Sequence, residues 1–282
     1  MIGFKIVKDS KTLISEIKKH KLKKKKIGFV PTLGGLHQGH FELIELAKKK
    51  TDIVVLSIFL NPLQFSSKND FIKYPSNLNS DKRKINKKKV NILYLPSMKE
   101  IFPSKRIKRI KASSKSNKLC GKFRKGHFDG VVTVLKSLFE QVSPNITFFG
   151  EKDFQQILII KDLILKYKLK IKVNILRTVR ENNGLAFSSR NFLLDKKQKK
   201  IAPFLFKTIK EISFKAKKNL KQLNNLKLKG KKKLINLGFN KIDYLEIYNE
   251  NNLLKKNIKK NNLRVFVAAY LGKTRLIDNY KS

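Results

Sequence analysis

The sequence predicts an α/β protein, a parallel sheet with helices on both faces, followed by a smaller C-terminal α+β domain. Three observations carry that prediction. Short apolar runs of strand length alternate with stretches of helical length through the first two thirds of the chain. Pro31, Pro96 and Ser143-Pro144 punctuate that alternation. After Asn191 the texture changes to lysine-rich stretches with apolar residues at helical spacing, and two further strand-like runs close the chain.

Taken in order, Ser10 to Lys21 reads as a helix, with Ser10 as a candidate N-cap and Leu13, Ile14 and Ile17 on one apolar face. Ile27-Gly28-Phe29-Val30 is a short buried strand ended by Pro31. Phe41 to Lys50 is helical, Ile53 to Leu60 is an apolar run of strand length, and Ile92 to Leu95 is a strand stopped by Pro96. Val131 to Val142 suits a helix closed by Ser143-Pro144. Ile146 to Phe149, Phe154 to Tyr167 and Ile171 to Leu176 then read as strand, amphipathic helix and strand. Lys196 to Leu228 carries Ile201, Phe204, Leu205, Ile209 and Ile212 at helical spacing, before the strand-like Tyr244 to Tyr248 and Leu263 to Tyr270. The expected division is a Rossmann-like domain over 1–178 and the smaller α+β domain over 179–282.

Composition narrows the class. In 282 residues, 41% are hydrophobic, with 20 Phe and 7 Tyr to fill a core, which excludes a disordered chain although 30% are charged. No apolar run approaches the roughly 20 residues that cross a bilayer. Met1-Ile2-Gly3-Phe4-Lys5 lacks the pattern of a secretory signal, so a cytoplasmic protein is expected. The single cysteine, Cys120, excludes an intrachain disulfide and a multi-cysteine metal site.

Lys plus Arg number 66 against 20 Asp plus Glu, a net charge of +46. Such a surplus suggests nucleic acid or an anionic membrane. The lysines, however, are scattered from Lys23–Lys26 through Lys87–Lys89 and Lys217–Lys218 to Lys231–Lys233, with Ile and Asn abundant and Arg scarce. Drift in an A- and T-biased coding sequence enriches these residue types wherever the surface tolerates them. No specific nucleic-acid or membrane partner is therefore expected.

Chemistry concentrates in a few places. Pro31-Thr32-Leu33-Gly34-Gly35-Leu36-His37-Gln38-Gly39-His40 lies between a strand and a helix and holds two of the four histidines. Glycines let the backbone approach a phosphate, and a helix N-terminus presents N–H groups to an anion. Two imidazoles three residues apart can donate to phosphoryl oxygens. Asn61 and Gln64 follow the second strand, where neutral amides suit a small polar substrate. Gly150-Glu151-Lys152-Asp153 again joins a strand to a helix, with a lysine to neutralise developing phosphate charge and a carboxylate for ribose hydroxyls. Ser188-Ser189-Arg190 offers two hydroxyls and a guanidinium to a polyphosphate. Gln155 reads as a helix-surface residue and His127 as a satisfied structural histidine.

The His-x-Gly-His spacing resembles the signature of the nucleotidyltransferase superfamily. Five further blocks follow in order: Ser57–Phe65, Gly126–Val131, Phe149–Gln156, Gly184–Asn191 and Ala268–Asn279. Over essentially the whole chain they resemble the pantoate–β-alanine ligase family, the pantothenate synthetases. The resemblance implies ATP-dependent condensation of (R)-pantoate with β-alanine through a pantoyl adenylate, releasing AMP and pyrophosphate, in a homodimer with Mg²⁺. It implies that the first domain binds nucleotide and pantoate and that the second closes over the active site. It assigns His37, His40 and Lys152 to catalysis. Leu33, Gly39, His40, Gly150, Lys152, Asp153, Val179, Ser188, Ser189 and Arg190 fall to ATP, and Asn61, Gln64, Arg124 and Gln156 to pantoate. Asp81 is the candidate metal ligand and the only carboxylate in its stretch, because Ser76, Ser80 and Asn91 depart from residues frequent in the family. Two rival readings stay open at this level: another adenylyl- or cytidylyltransferase, and a basic RNA-binding relic of the scaffold.

Overall fold

The computed structural model describes residues 3–86, 88, 90–104 and 107–282. Met1, Ile2, Lys87 and Lys89, named above, lie outside them. The chain forms two units. The first comprises the described residues up to Ser113 together with Arg124–Glu151 and Ile159–Arg177. The second comprises Ser114–Phe123, Lys152–Leu158 and Thr178–Ser282. A cut at 178/179 does not separate the two short segments, Ser114–Phe123 and Lys152–Leu158, which belong with the later chain.

The first unit is built on six parallel strands: β1 (Lys5–Val7), β2 (Ile27–Thr32), β3 (Ile53–Ile58), β4 (Ile92–Tyr94), β5 (Ile146–Gly150) and β6 (Lys172–Leu176). Their order is β1-β4-β3-β2-β5-β6. Ile27, Phe29, Val30, Val54, Val55 and Leu56 are all buried, the continuous apolar run expected of strands covered on both faces. Phe29 meets Phe139 of the helix His127–Val142 edge-on, at 6.2 Å between ring centroids. Its neighbour Val30 packs with Leu43, Ile44 and Ala47 of the helix Gln38–Lys50. Successive strand residues point to opposite faces, so these two helices cover opposite sides of the sheet.

Several boundaries differ from the sequence reading. Asp9, not Ser10, caps the first helix (Ser10–Leu22): its carboxylate accepts the Thr12 N–H at 2.8 Å, while Ser10 is already helical. β2 runs through Pro31 to Thr32. β5 pairs only with Gly28 and Phe29, so at Pro31 the strand has β3 alone beside it and tolerates a residue without an N–H. β3 stops at Ile58, and the last bond of its ladder with β2 runs from the Phe59 N–H to the Thr32 carbonyl. β1 and the helix Leu78–Asn86 had no clear pattern in the sequence.

In the second unit, β7 (Lys241–Asn249), β8 (Leu263–Leu271) and β9 (Thr274–Tyr280) form an antiparallel sheet in that order. The stretch Lys196–Leu228 resolves into helices Lys196–Ile201 and Phe204–Lys218 and the start of Leu223–Asn236. Asn219 breaks it, its side chain accepting the Lys221 N–H to begin a new turn. Leu205, Ile209, Ile212 and Ala216 form one stripe of Phe204–Lys218, buried with Leu245, Val265 and Val267 of the sheet. β9 is an additional strand beyond the two expected. No helix among the described residues is long and apolar enough to cross a membrane.

Candidate active site

Strand order reverses between β2 and β5, and ligands of doubly wound sheets bind outside the carboxyl ends at such a point. The ends of β2 and β3 are locked together there. Thr32 Oγ1 donates to the Ser57 carbonyl at 2.8 Å, and the Phe59 N–H donates to the Thr32 carbonyl at 3.0 Å. Beyond the half-buried Leu33, Gly34 and Gly35 turn the chain in left-handed conformations, φ +84° and +65°. A side chain on Gly34 would also crowd Asp81, the Cβ falling 3.2 Å from Oδ2.

Asp81 explains the crowding. It is 1% exposed, and its Oδ2 and Oδ1 accept the N–H groups of Gly35 and Leu36, each at 2.8 Å. Lys84, on the same helix, donates to the Leu36 carbonyl at 3.1 Å. Asp81 thus has a structural role that the sequence did not announce: each oxygen of this buried carboxylate accepts a backbone N–H and so holds the turn. Among the described residues, no group of three or more His, Cys, Asp or Glu is placed to hold a metal ion.

The turn delivers His37 to the N-cap of Gln38–Lys50, where a ring nitrogen does the work of the usual hydroxyl or carboxylate. His37 Nδ1 accepts the Gly39 N–H at 3.1 Å, and His40 Nδ1 accepts the His37 N–H at 3.3 Å. The rings sit 4.0 Å apart between centroids. Because each Nδ1 is an acceptor, each neutral ring carries its proton on Nε2. The pair thus presents two N–H donors at the positive end of a helix, an arrangement suited to phosphate oxygens.

Past β3, Asn61 is 0% exposed and satisfied internally. Its Nδ2 donates to Gln64 Oε1 and to the Gly130 carbonyl, both at 3.1 Å, and its Oδ1 accepts the Leu63 N–H at 3.0 Å. Asn61 accordingly orients Gln64 and turns its Nε2 into the amide's remaining polar group. Arg124 and His127 converge on the Gln64 carbonyl from the other side, at 3.2 Å from NH2 and 2.6 Å from Nδ1. His127 also meets Arg124 at 3.3 Å and is a satisfied structural histidine. Gly130 lets this helix approach so closely that an added Cβ would lie 2.2 Å from the Leu63 carbonyl oxygen.

β5 ends at Gly150, whose missing side chain would meet nothing within 4 Å, so its backbone flank is open. The one-turn Glu151–Asp153 follows. In the second unit, Lys152 Nζ lies 3.9 Å from Asp153 Oδ2, and the Lys152 carbonyl accepts from Asn279 Nδ2 at 2.9 Å. Gln155 is buried, contrary to the surface position expected. Its Oε1 accepts the Cys120 N–H, and its Nε2 donates to the carbonyls of Lys115 and Lys118 at 2.9 and 2.6 Å. Neighbouring Gln156 is half-buried and, among the described residues, its amide has no partner.

The loop carrying Ser188-Ser189-Arg190 is pinned at both ends. The Phe187 N–H donates to the Val179 carbonyl at 3.0 Å, and Arg180 pairs with Ala186 in an antiparallel bridge. Ser188 Oγ accepts the Arg190 N–H at 3.3 Å, Ser189 is buried, and Asn191 Nδ2 donates to the Ala186 carbonyl at 3.0 Å. Arg180 reaches Asp278 through both terminal nitrogens, at 2.6 and 3.0 Å. Burial pushes the Asp278 carboxyl above its ordinary range, opposed by Arg180, the Asn279 N–H and the Lys152 charge. The sequence reading did not single out Arg180, Asp278 or Asn279. The period-two pattern of Thr274, Leu276 and Asp278 was a usable signal, because it puts the carboxylate on the strand's buried face.

A glycine turn and a capped histidine pair at the switch point of a parallel sheet define a nucleotide-handling α/β protein. Comparison with known proteins specifies which. The sequence model described as pantoate-beta-alanine ligase matches residues 5–281. Pantothenate synthetase of Buchnera aphidicola subsp. Acyrthosiphon pisum (strain 5A) is 42% identical over 282 residues, covering 98% of each chain. The crystal structure of pantothenate synthetase from Thermus thermophilus superposes with a TM-score of 0.89 at 32% identity, covering 99% of each chain. That of pantoate-beta-alanine ligase from Francisella tularensis, complexed with beta-gamma ATP and beta-alanine, gives 0.83 at 36%, covering 99% of this chain and 97% of the other. The chain belongs to the pantoate–β-alanine ligase family, whose reaction is the ATP-dependent condensation of pantoate with β-alanine.

The Asp81 geometry yields a prediction. Asp81→Asn replaces one acceptor with a donor facing an N–H, and should destabilise the chain by about 2 kcal/mol in urea unfolding. Unaltered stability, with lost activity restored by raised Mg²⁺, would assign the carboxylate to the metal.

Proposed function

We propose that this chain makes pantothenate in two steps at the groups described above. The pantoate carboxylate attacks the α-phosphorus of ATP, the bond to pyrophosphate breaks, and a pantoyl adenylate forms. The amine of β-alanine then attacks the acyl carbon and displaces AMP, shedding its proton to solvent. Both nucleophiles belong to substrates, so the protein need only position them and stabilise charge. The observation that carries this reading is the reciprocal cap of His37 and His40. It supports two Nε2–H donors directed at phosphate oxygens at a helix N-terminus.

The remaining roles follow the same chemistry. Lys152 neutralises charge on the transferring phosphoryl group. Leu33, Gly39, Gly150, Asp153 and the Val179 backbone hold the nucleoside and its phosphates, and Ser188, Ser189 and Arg190 take the polyphosphate. Gln64, through its Nε2–H groups, and Gln156 bind pantoate, with Asn61 and Arg124 keeping the Gln64 loop in place. Mg²⁺ bound with ATP would be held mostly by phosphate oxygens and water, with Asp81 the one candidate protein carboxylate, and would offset the charge of the phosphates. A cytoplasmic location accords with the buried, unpaired Cys120. A homodimer accords with the open sheet edge at β6, beside which Leu165 is 79% exposed and Ile171 and Val173 are only half-buried. Sedimentation of the purified chain at twice the monomer mass is expected, and a monomer at assay concentration rejects the dimer.

The two steps separate experimentally. With Mg²⁺, ATP and pantoate, the chain should exchange labelled pyrophosphate into ATP without β-alanine. His40→Ala and Lys152→Ala should each lower that exchange by about two orders of magnitude or more, while Lys218→Ala changes nothing. Gln64→Ala should act mainly on the KM for pantoate. Folded protein showing no pantoate-dependent exchange would sink the reading.

A further inference from the structure

The second unit contains a buried polar network that the reaction as described does not use. It begins at Asp278, 5% exposed on β9, which grips Arg180 in a two-pronged ion pair. Arg180 stacks its guanidinium 3.5 Å from the centroid of the Phe206 ring and donates to the Gly184 carbonyl at 3.2 Å. This fixes the base of the loop that carries Ser188 to Arg190. Asp278 Oδ1 also accepts the N–H of Asn279 at 2.8 Å, tying the pair to the next residue.

Asn279, 3% exposed, faces two ways. Its Oδ1 accepts from Arg264 NH1 at 2.6 Å, and its Nδ2 donates to the Lys152 carbonyl at 2.9 Å. Arg264 is itself held by Glu250, at 3.0 and 3.1 Å, and lies 3.9 Å above the ring of Phe154. The backbone of Lys152 is therefore held at its own carbonyl and two residues on, by groups anchored in β8 and β9. Nothing in folding requires four charged side chains and an amide here, since burying charge costs more than apolar packing of the same volume.

We propose that Asn279, backed by Asp278 and Arg180, is a positioning residue of the reaction. It fixes the backbone from which the Lys152 ammonium is presented and couples that backbone to the Ser188–Arg190 loop. The inference rests on the catalytic reading of Lys152. A misplacement of about 1 Å at a reacting group costs on the order of a hundredfold in rate. Loss of the Asn279 hydrogen bond should thus appear in kcat of the adenylation step and leave substrate affinities nearly untouched.

Asn279→Asp keeps the acceptor for Arg264 and removes the donor to Lys152, and Arg180→Lys loosens the opposite end of the network. Both should be measured by pantoate-dependent pyrophosphate exchange beside Lys152→Ala, with thermal melts of all three. The expected result is folded protein in which kcat falls about tenfold to a hundredfold while the KM for pantoate changes less than about twofold. Wild-type kcat in folded Asn279→Asp, with Lys152→Ala inactive, overturns the positioning role alone. Wild-type kcat in Lys152→Ala overturns the underlying reading of the lysine. Equal losses in kcat and in pantoate affinity, or variants that no longer fold at the assay temperature, assign the network to the fold and also overturn it.

Discussion

The two hydrogen bonds that the Asp81 carboxylate accepts from the N–H groups of Gly35 and Leu36 are the constraint on which the first unit's chemistry depends. A chain leaving a strand through two left-handed glycines has wide conformational freedom, and an unpaired N–H inside a protein is costly. The buried carboxylate removes both problems with one group. The helix Gln38–Lys50 then starts at a defined residue, and His37 caps it. The two imidazoles inherit their tautomers from the backbone N–H groups that their Nδ1 atoms accept.

The second unit solves a related problem with a different device. A lysine side chain is long and strongly hydrated, and among 66 basic residues its charge alone singles out none. What distinguishes Lys152 is its backbone. Its carbonyl is held by Asn279, and Phe154 beyond it lies under Arg264. Asp278 and Arg180 extend the same network to the loop before Ser188. Most other lysines sit exposed, many in the last turns of helices, where a cation is tolerated near the negative end of the dipole.

Features depending on neighbours in sequence were readable in advance. His37 and His40 are three residues apart, and the central strand β3 announced itself as an apolar run. Features depending on distant partners were not. The structural role of Asp81 was hidden because the N–H groups it accepts lie 45 and 46 residues away. The internal bonding of Asn61 was hidden because the Gly130 carbonyl it donates to comes from a helix 69 residues away. Gln155 read as surface because the segment covering it, around Lys115 to Cys120, returns from earlier in the chain. β9 pairs Thr274-Arg275, Leu276-Ile277 and Asp278-Asn279 in place of a polar–apolar alternation, and carries a buried charge whose counterion lies 98 residues away.

The central claim is that backbone capping sets the histidine pair to donate from Nε2. Nitrogen chemical shifts of the imidazole rings, recorded at a pH where both are neutral, test it most directly. The account predicts a protonated Nε2 and an unprotonated Nδ1 in both His37 and His40. A proton on Nδ1 of either ring would contradict it.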